Sequence, residues 1–243
     1  MTDSTTKWYA SWFDTEFYHI LYKDRDYREA KLFMGNLIDY LDLDKNAHIL
    51  DLACGKGRHS IYLNQLGFPV TGVDLSKNSI QAAQKYATET LQFKVYDMTQ
   101  ALPTKFDAVF NLFTSFGYFD KEEDNLNTLK AIKQELKPGA KAVIDFMNVD
   151  YVTRNLVPKE IKTVEGIDFH ITRWIEDGFI KKNIQFRVNQ EKYNFTERVK
   201  MLSLKDFQNY FDQVGISLID CFGNYQLQKF DQQQHQRLIL IFN

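Results

Sequence analysis

The chain has 243 residues, 44% of them hydrophobic, and a formal net charge of −2, which is an ordinary globular composition for one domain or one domain with an insertion. It carries no long basic run, and this argues against nucleic acid as the main partner because phosphate binding needs clustered lysine and arginine. No stretch approaches the roughly 18 apolar residues of a membrane span.

The first residues, MTDSTTKWYASWFD, lack the charged start and apolar core of a secretory signal. The two cysteines, Cys54 and Cys221, form neither a disulfide framework nor a zinc pattern, which favours a reducing compartment. The five histidines show no ligand spacing, so no metal site is expected. We therefore expect a cytoplasmic protein.

Residues 8–42 carry aromatic and aliphatic side chains at close to helical spacing, and they predict one or two helices. Strand and helix patterns then alternate between residues 47 and 148. The predicted strands are HILDLA, FPVTGVDLS, LQFKVYD, FDAVFNLFTS and AKAVIDFMN. Ser76 is placed to cap one intervening helix, and another stops at Pro138-Gly139. This alternation predicts a parallel, doubly wound α/β sheet.

The pattern changes after the fifth strand. Residues 159–201 predict short antiparallel strands, with a hairpin turn at Asp177-Gly178. Ser203 is placed to cap a helix that ends at Gly215, and two final strands, ISLIDCFG and QRLILIFN, complete a seven-stranded, mostly parallel, Rossmann-like sheet. The expected organisation is N-terminal helices plus cofactor-binding core (1–150), an inserted β region (151–202), and a last helix with the final strands (203–243). The insertion is expected to be a substrate lid or wall, with a homodimer interface as the alternative.

The segment ILDLACGKGRHS, residues 49–60, places a glycine-rich turn directly after the first strand, where doubly wound sheets bind ligands. A nucleotide P-loop does not fit, because Leu50 stands where its first glycine is needed. A dinucleotide motif fits in part, since Asp74 follows roughly 20 residues after the turn and suits ribose hydroxyls. Asp51 beside the turn would repel a pyrophosphate and would suit a cationic ligand such as S-adenosylmethionine. Asp97 ends the third strand, where an adenine amino group could bind.

At this point the sequence resembles the class I S-adenosylmethionine-dependent methyltransferases. The motifs that carry the resemblance are ILDLACGKGRHSIYL, VTGVDLS, VYDM, FDAVFNLFTSFGYF and LKPGAKAVIDF. One departure is Ala53, which stands where many members have a glycine. The resemblance implies that the cofactor is bound by Asp51, Ala53, Gly55, Gly57, Asp74, Leu75, Asp97, Met98, Asn111 and Leu112. Tyr22 of the N-terminal region and Cys54 of the turn are further cofactor-binding candidates.

Two further segments, YHILYKDRDYREA and FTSFGY, are similar to a branch that includes sugar-amine N-methyltransferases. That branch has a histidine beside the acceptor amine where this chain has Tyr118. The candidate catalytic residues are Tyr18, His19 and Tyr118, and the N-terminal helices are expected to lie over the cofactor.

The resemblance implies in-line methyl transfer to a small-molecule nitrogen or oxygen acceptor. The NPPY signature of nucleic-acid amino methylation is absent, with Asn-Leu-Phe-Thr at residues 111–114 in its place. Two alternatives remain open: a module that binds S-adenosylmethionine without catalysis, and an NAD-dependent oxidoreductase.

Overall fold

The computed structural model describes residues 8–23 and 27–243. Within this part the N-terminal region forms three short or medium helices where one or two were predicted: α1 (Trp8–Trp12), α2 (Glu16–Leu21) and α3 (Tyr27–Leu41). The separation of α1 from α2 has a local cause, since the Thr15 hydroxyl accepts a hydrogen bond from the Tyr18 backbone N–H and starts a new helix. Residues 24–26, in the middle of the YHILYKDRDYREA motif, lie outside the described residues.

The main sheet has seven strands in the order β10-β11-β5-β4-β1-β2-β3. Their bounds are β1 (Ile49–Leu52), β2 (Val70–Asp74), β3 (Leu91–Val95), β4 (Phe106–Asn111), β5 (Leu136–Met147), β10 (Leu218–Phe222) and β11 (Arg237–Phe242). Strands β1 to β5 pair in parallel, β11 is antiparallel to β5, and β10 is antiparallel to β11. The predicted seven-stranded, mostly parallel sheet is confirmed.

Helices follow most strands of the main sheet or lead into them, and together they cover both faces of the sheet. They are α4 (Arg58–Gln65), α5 (Lys77–Ala83, continued by a 3-10 turn, Gln84–Tyr86), α6 (Glu122–Glu135), α7 (Val149–Arg154) and α8 (Leu204–Val214). The predicted caps are confirmed: Ser76 accepts from the Ser79 N–H, and Ser203 forms a reciprocal capping box with Asp206. Gly215 ends α8 in the left-handed region at φ 70°.

Helix α6 ends earlier than the sequence predicts. It stops at Glu135, and Leu136, Lys137, Pro138 and Gly139 already belong to β5. A residue before proline is disfavoured in the helical region, so Lys137 favours an extended backbone. The side chain of Leu136 is buried, and Leu136 pairs with Phe106 of β4, which extends the strand backwards past the proline. Helix α7 was not predicted.

The inserted sheet contains β6 (Lys159–Val164), β7 (Ile167–Glu176), β8 (Phe179–Val188) and β9 (Glu191–Lys200), paired antiparallel in that order. Asp177 and Gly178 both have positive φ, 52° and 77°, which is the geometry of a two-residue hairpin turn. The predicted antiparallel insertion is therefore confirmed.

The inserted sheet and the N-terminal helices share a small hydrophobic core of their own. Trp12 and Leu21 pack there with Phe169, Ile184 and Phe186, and all five side chains are at most 3% exposed. This core is separate from the two larger cores that cover the faces of the main sheet. The first two helices thus lie between the inserted sheet and the strand ends of the main sheet. No helix in the described ranges is long and apolar enough to cross a membrane.

Candidate functional site

The carboxyl ends of β1 to β4 open into a cavity of about 340 Å³. Its floor comes from the strand ends and the turns that follow them, and its cover comes from α1 and α2. The residues that line it are Tyr9, Phe13, Tyr18, His19, Tyr22, Lys23, Asp51, Ala53, Cys54, Gly55, Lys56, Arg58, His59, Asp74, Leu75, Ser76, Ser79, Tyr96, Asp97, Met98, Leu112, Phe113, Ser115, Tyr118 and Phe119. The structure therefore brings most of the predicted site residues together.

The turn after β1 has an unusual backbone. Ala53, Gly55 and Gly57 have φ of 63°, 57° and 81°, a region where only glycine avoids a steric penalty. A Cβ on Gly57 would lie 2.6 Å from the Phe93 ring, whereas one on Gly55 would meet nothing within 4 Å. Gly57 therefore allows close packing against Phe93 and is not among the lining residues, and its predicted contact with the cofactor stays a prediction. Gly55 leaves open space beside the backbone, as a bound ligand requires.

Asp51 lies at the end of β1, with only 2% of its surface exposed. Its Oδ2 accepts hydrogen bonds from the Ser60 N–H at 3.1 Å and from the Ser60 hydroxyl at 2.5 Å. Desolvation by burial is the largest effect on this carboxyl and raises its pKa to about 6, although the Ser60 donors act in the opposite direction. A cation bound in the cavity would favour the ionised form.

Asp74 ends β2 and braces the glycine turn. Its Oδ2 accepts from the Gly55 N–H and its Oδ1 from the Ser76 N–H, both at 2.8 Å. Burial raises the pKa of Asp74 against the effect of these two donors. Two of the turn's other N–H groups are also engaged inside the protein: that of Gly57 donates to the Cys54 carbonyl and that of Cys54 to the Val73 carbonyl.

The remaining strand-end residues divide into two groups. Leu75, Asp97, Met98 and Leu112 line the cavity as expected. Asp97 Oδ1 accepts from both the N–H and the hydroxyl of Thr99, which shapes the turn after β3. Asn111 is not among the lining residues: it is fully buried, and its Nδ2 donates to the Leu52 carbonyl at 3.1 Å, so its predicted contact with the cofactor stays a prediction. The residue thus links β4 to β1 below the cavity floor.

Cys54 is buried, and its Sγ donates to the Gly55 carbonyl at 3.6 Å. Burial raises the pKa of this thiol well above its ordinary value, and the nearby carboxylates of Asp51 and Asp74 act in the same direction. A thiol held in its protonated form is a poor nucleophile. Cys54 therefore lines the cavity as a small apolar group.

Opposite the strand ends stands an aromatic wall, which is formed by Tyr9, Phe13, Tyr18, Tyr118 and Phe119. Tyr118 belongs to the loop after β4, and its ring centroid lies 5.2 Å from that of Phe13 and 6.4 Å from that of Tyr9. Phe13 and Tyr18 are 4.9 Å apart, and Tyr9 and Phe119 are 6.0 Å apart. The rings thus come from two separate chain segments that meet across the cavity.

The predicted catalytic residues and Tyr22 all reach the cavity. His19 points at α5, where its Nε2 lies 3.5 Å from the Ser79 hydroxyl. Tyr22 lines the cavity, but its hydroxyl is directed at the inserted sheet, where it donates a hydrogen bond to Glu197 of β9 at 2.8 Å. The ring of Tyr22 packs 4.9 Å from that of Tyr18.

Several lining residues were not predicted. Tyr9 and Phe13 were visible only as aromatics, and Ser79 as a residue in the first turn of α5, whereas Phe113 was among the rings expected near the sulfonium. Phe113 stacks on His59 at 5.1 Å, with the Arg58 guanidinium 4.4 Å from its ring. Asp14, between α1 and α2, was also missed: its Oδ1 accepts from the Ser76 hydroxyl and the Asn78 N–H. This contact fastens the cover to the helix that follows Asp74.

The inserted sheet contributes no residue to the cavity lining, because the residues that line the cavity all lie between residues 9 and 119. The sheet packs against α1 and α2, which occupy the place between it and the strand ends. The expectation that residues 151–202 form a substrate lid or wall stays a prediction.

The cavity fits the cofactor that the sequence suggested. Gly55 leaves room for a ligand against the backbone, and Asp51 supplies a buried carboxylate for a cationic group. The carboxylates of Asp74 and Asp97 could accept hydrogen bonds from ribose and adenine groups, and Leu75 and Met98 line the cavity as apolar neighbours. Because the N–H groups of Cys54, Gly55 and Gly57 already have protein acceptors, a pyrophosphate would find few donors in this turn.

Comparison with known proteins agrees with this geometry. A family model described as "Methyltransferase domain" matches residues 43–178. Glycine/sarcosine N-methyltransferase from Aphanothece halophytica is 34% identical over 188 residues, which cover 73% of this chain and 69% of the relative. The chain spans about two fifths (41–43%) of the length of other curated relatives that it matches.

Solved structures show the same fold. An S-adenosylmethionine-dependent methyltransferase from Clostridium acetobutylicum ATCC 824 superposes with a TM-score of 0.79 at 20% identity, covering 93% of this chain and 94% of that one. The sugar N-methyltransferase KedS8 from Streptoalloteichus sp ATCC 53650 gives a TM-score of 0.71 at 18% identity, covering 93% and 90%. The expected similarity to the sugar-amine branch is thus confirmed at the level of the fold. With a family model over more than half of the sequence and a relative above 30% identity over most of it, this chain belongs to the S-adenosylmethionine-dependent methyltransferases.

Proposed function

We propose that the protein transfers a methyl group from S-adenosylmethionine to a nitrogen or oxygen atom of a small molecule. One observation carries the proposal: a single cavity has buried carboxylates on its strand-end side and an aromatic wall on the other side. The first side suits the cofactor, and the second leaves room for an acceptor that packs against rings.

The bound cofactor would supply an electrophilic methyl group on a sulfonium, with a neutral leaving group. The protein then has to position the acceptor in line and exclude water. Asp51, Asp74 and Asp97 would hold the cofactor, and the helices α1 and α2 would close the cavity over it. Tyr18 and Tyr118 offer ring faces that attract a cationic centre.

Tyr18, His19 and Tyr118 are the proposed groups for taking a proton from the acceptor, because all three line the cavity. His19 also lies near Ser79, which would orient its ring. A general base is needed only for an acceptor whose proton leaves during transfer, so the pH profile of turnover distinguishes the acceptor types.

The geometry bears on the alternative enzyme, an NAD-dependent oxidoreductase. A dinucleotide requires backbone N–H groups for its pyrophosphate. Here the Gly55 N–H donates to Asp74, and Asp51 adds a buried negative charge beside the turn. Both features disfavour a pyrophosphate and favour a cation.

Calorimetry with S-adenosylhomocysteine and with NAD tests the cofactor. We expect saturable binding of the first and none of the second; tight NAD binding without heat from S-adenosylhomocysteine would contradict the proposal. A screen with methyl-labelled S-adenosylmethionine against amines, hydroxyl compounds and small acids then tests catalysis. Binding without label transfer to any acceptor would favour the non-catalytic module.

We also propose a cytoplasmic location, which is supported by the free thiols of Cys54 and Cys221. A homodimer formed through the inserted sheet remains a prediction, and light scattering measures it.

A further inference from the structure

The inserted sheet makes several polar contacts with the cavity cover, and one of its side chains, Glu197 of β9, bonds to residues of both cover segments. Its Oε1 accepts a hydrogen bond from Trp12 Nε1 of α1 at 2.7 Å. The same carboxylate accepts from the Tyr22 hydroxyl, which follows α2, at 2.8 and 3.0 Å. One carboxylate therefore holds both helices of the cover at residues more than 170 positions away in sequence.

The Glu197 carboxylate is largely shielded from water, and Lys182 lies beside it as a positively charged partner. The side chains of Glu197 and Lys182 are only 14% and 15% exposed, and Lys182 Nζ lies 3.6 Å from Glu197 Oε2. Lys182 also donates to the Tyr22 hydroxyl and lies 4.5 Å from the centre of its ring. An ion pair at this depth is stable only while both partners keep their hydrogen bonds.

The same strand also reaches the other side of the aromatic wall. The Lys200 N–H, near the end of β9, donates to the Gly117 carbonyl at 2.8 Å, directly before Tyr118. Arg198 pairs with Asp120 in the same loop. Strand β9 thus contacts both chain segments that supply the wall, although it contributes no side chain to the cavity.

We propose that Glu197 is a positioning residue for methyl transfer. Through its hydrogen bonds with Trp12 and Tyr22 it fixes the position of the cavity cover, α1 and α2. This rests on the proposed function, since the cavity is taken as the cofactor and acceptor site. On this basis the inserted sheet acts as a platform for the cover. A carboxylate suits this place because its oxygens accept from Trp12 and Tyr22 while its charge pairs with Lys182.

Hydrogen exchange followed by mass spectrometry measures the cover directly and needs no turnover. In Glu197→Gln we expect amides of residues 8–22 to exchange about tenfold faster, the change that corresponds to one lost hydrogen bond to a charged group. Exchange in β1, β2 and β4 should not change. Glu176→Gln is the matched control, because Glu176 pairs with Lys181 on the same sheet but is exposed and touches no residue of the cover.

The kinetic readout is a double-mutant cycle with Tyr22→Phe. Each single variant should raise the KM for S-adenosylmethionine and weaken S-adenosylhomocysteine binding, and the double variant should be no worse than Glu197→Gln alone, because both changes break the same link. Additive losses, or unchanged exchange in residues 8–22 of Glu197→Gln, would overturn the assignment. If the wild-type protein fails to bind S-adenosylhomocysteine, the proposed function fails, while the exchange experiment still tests Glu197.

Discussion

Replacement of Asp51 by asparagine should stabilise the folded protein and weaken its binding of the cofactor. Burial raises the pKa of Asp51 from 3.8 to about 6. For a carboxyl whose folded pKa is raised, the contribution to stability is fully present below the unfolded pKa of about 4 and is lost as the pH rises through about 6. At neutral pH the wild-type protein therefore carries the full penalty of an ionised, buried carboxylate.

The shift sets the size of the effect. The pKa of Asp51 is raised by about two units, and each unit corresponds to about 1.4 kcal/mol. Above pH 7 the free energy of unfolding of Asp51→Asn should therefore exceed that of the wild type by up to about 3 kcal/mol, and this difference should fall towards zero at about pH 4. The amide oxygen of asparagine still accepts from Ser60, so the hydrogen bonds of the turn remain. Urea unfolding of the unliganded protein at several pH values measures this gain.

Binding should change in the opposite direction. Calorimetry should show weaker S-adenosylhomocysteine binding in Asp51→Asn by about 1–3 kcal/mol, the range for a lost hydrogen bond to a charged group. Wild-type affinity should fall as the pH drops below about 6, and that of the variant should not.

Asp107 provides a control of opposite sign. Desolvation by burial is the largest single effect on this carboxyl and acts to raise its pKa, but the Lys137 ammonium and the His48 N–H together outweigh it and lower the pKa. Its contribution to stability is therefore present above the unfolded pKa and is lost as the pH falls. Asp107→Asn should therefore lose stability at neutral pH. The reasoning about Asp51 is refuted if Asp51→Asn is also less stable at pH 7.5, or if its difference from wild type does not depend on pH.

Three further variants test other parts of the site. Asp74→Asn should weaken S-adenosylhomocysteine binding by about 1–3 kcal/mol, because Asp74 both faces the cavity and braces Gly55; unchanged calorimetric affinity in a folded variant would remove it from the site. Tyr18→Phe should lower turnover at saturating cofactor while the melting temperature stays within about 2 °C, and full activity would assign Tyr18 to packing alone. Ala53→Gly should stabilise the protein against urea by up to about 1 kcal/mol, since Ala53 adopts φ 63°; a loss of stability would mean that the methyl group packs favourably.

The sequence predicts the main sheet well because local signals decide it. Ser76 and Ser203 are side-chain caps that act within three residues, and Asp177-Gly178 is a turn that needs no distant partner. The positions of the carboxylates Asp51 and Asp74 were also predictable, since each lies at the end of a predicted parallel strand and such strands end at one edge of the sheet. The end of α6 was missed because a buried Leu136 and its pairing with β4 are tertiary features.

The contacts that site residues make with distant parts of the chain could not be predicted. Asn111 sits at the right strand end, but its amide turns away to the Leu52 carbonyl. Phe113 is held at the cavity by the Asp145 carboxylate, which accepts from its N–H and is paired with Arg237 of β11. Glu197 lies in an ordinary strand pattern, and nothing local marks it as a partner of Tyr22. Position on an element was predictable, whereas side-chain direction was not.

The small core shared by the N-terminal helices and the inserted sheet has a consequence for synthesis on the ribosome. Trp12 and Leu21 leave the exit tunnel early, but their partners Phe169 and Phe186 are translated about 150 residues later. At a synthesis rate of roughly 5–20 residues per second, the side chains of α1 and α2 remain without their packing partners for on the order of ten seconds. The first helices to be made are thus among the last to dock, and a nascent chain stalled before residue 160 should expose them to chaperones and proteases.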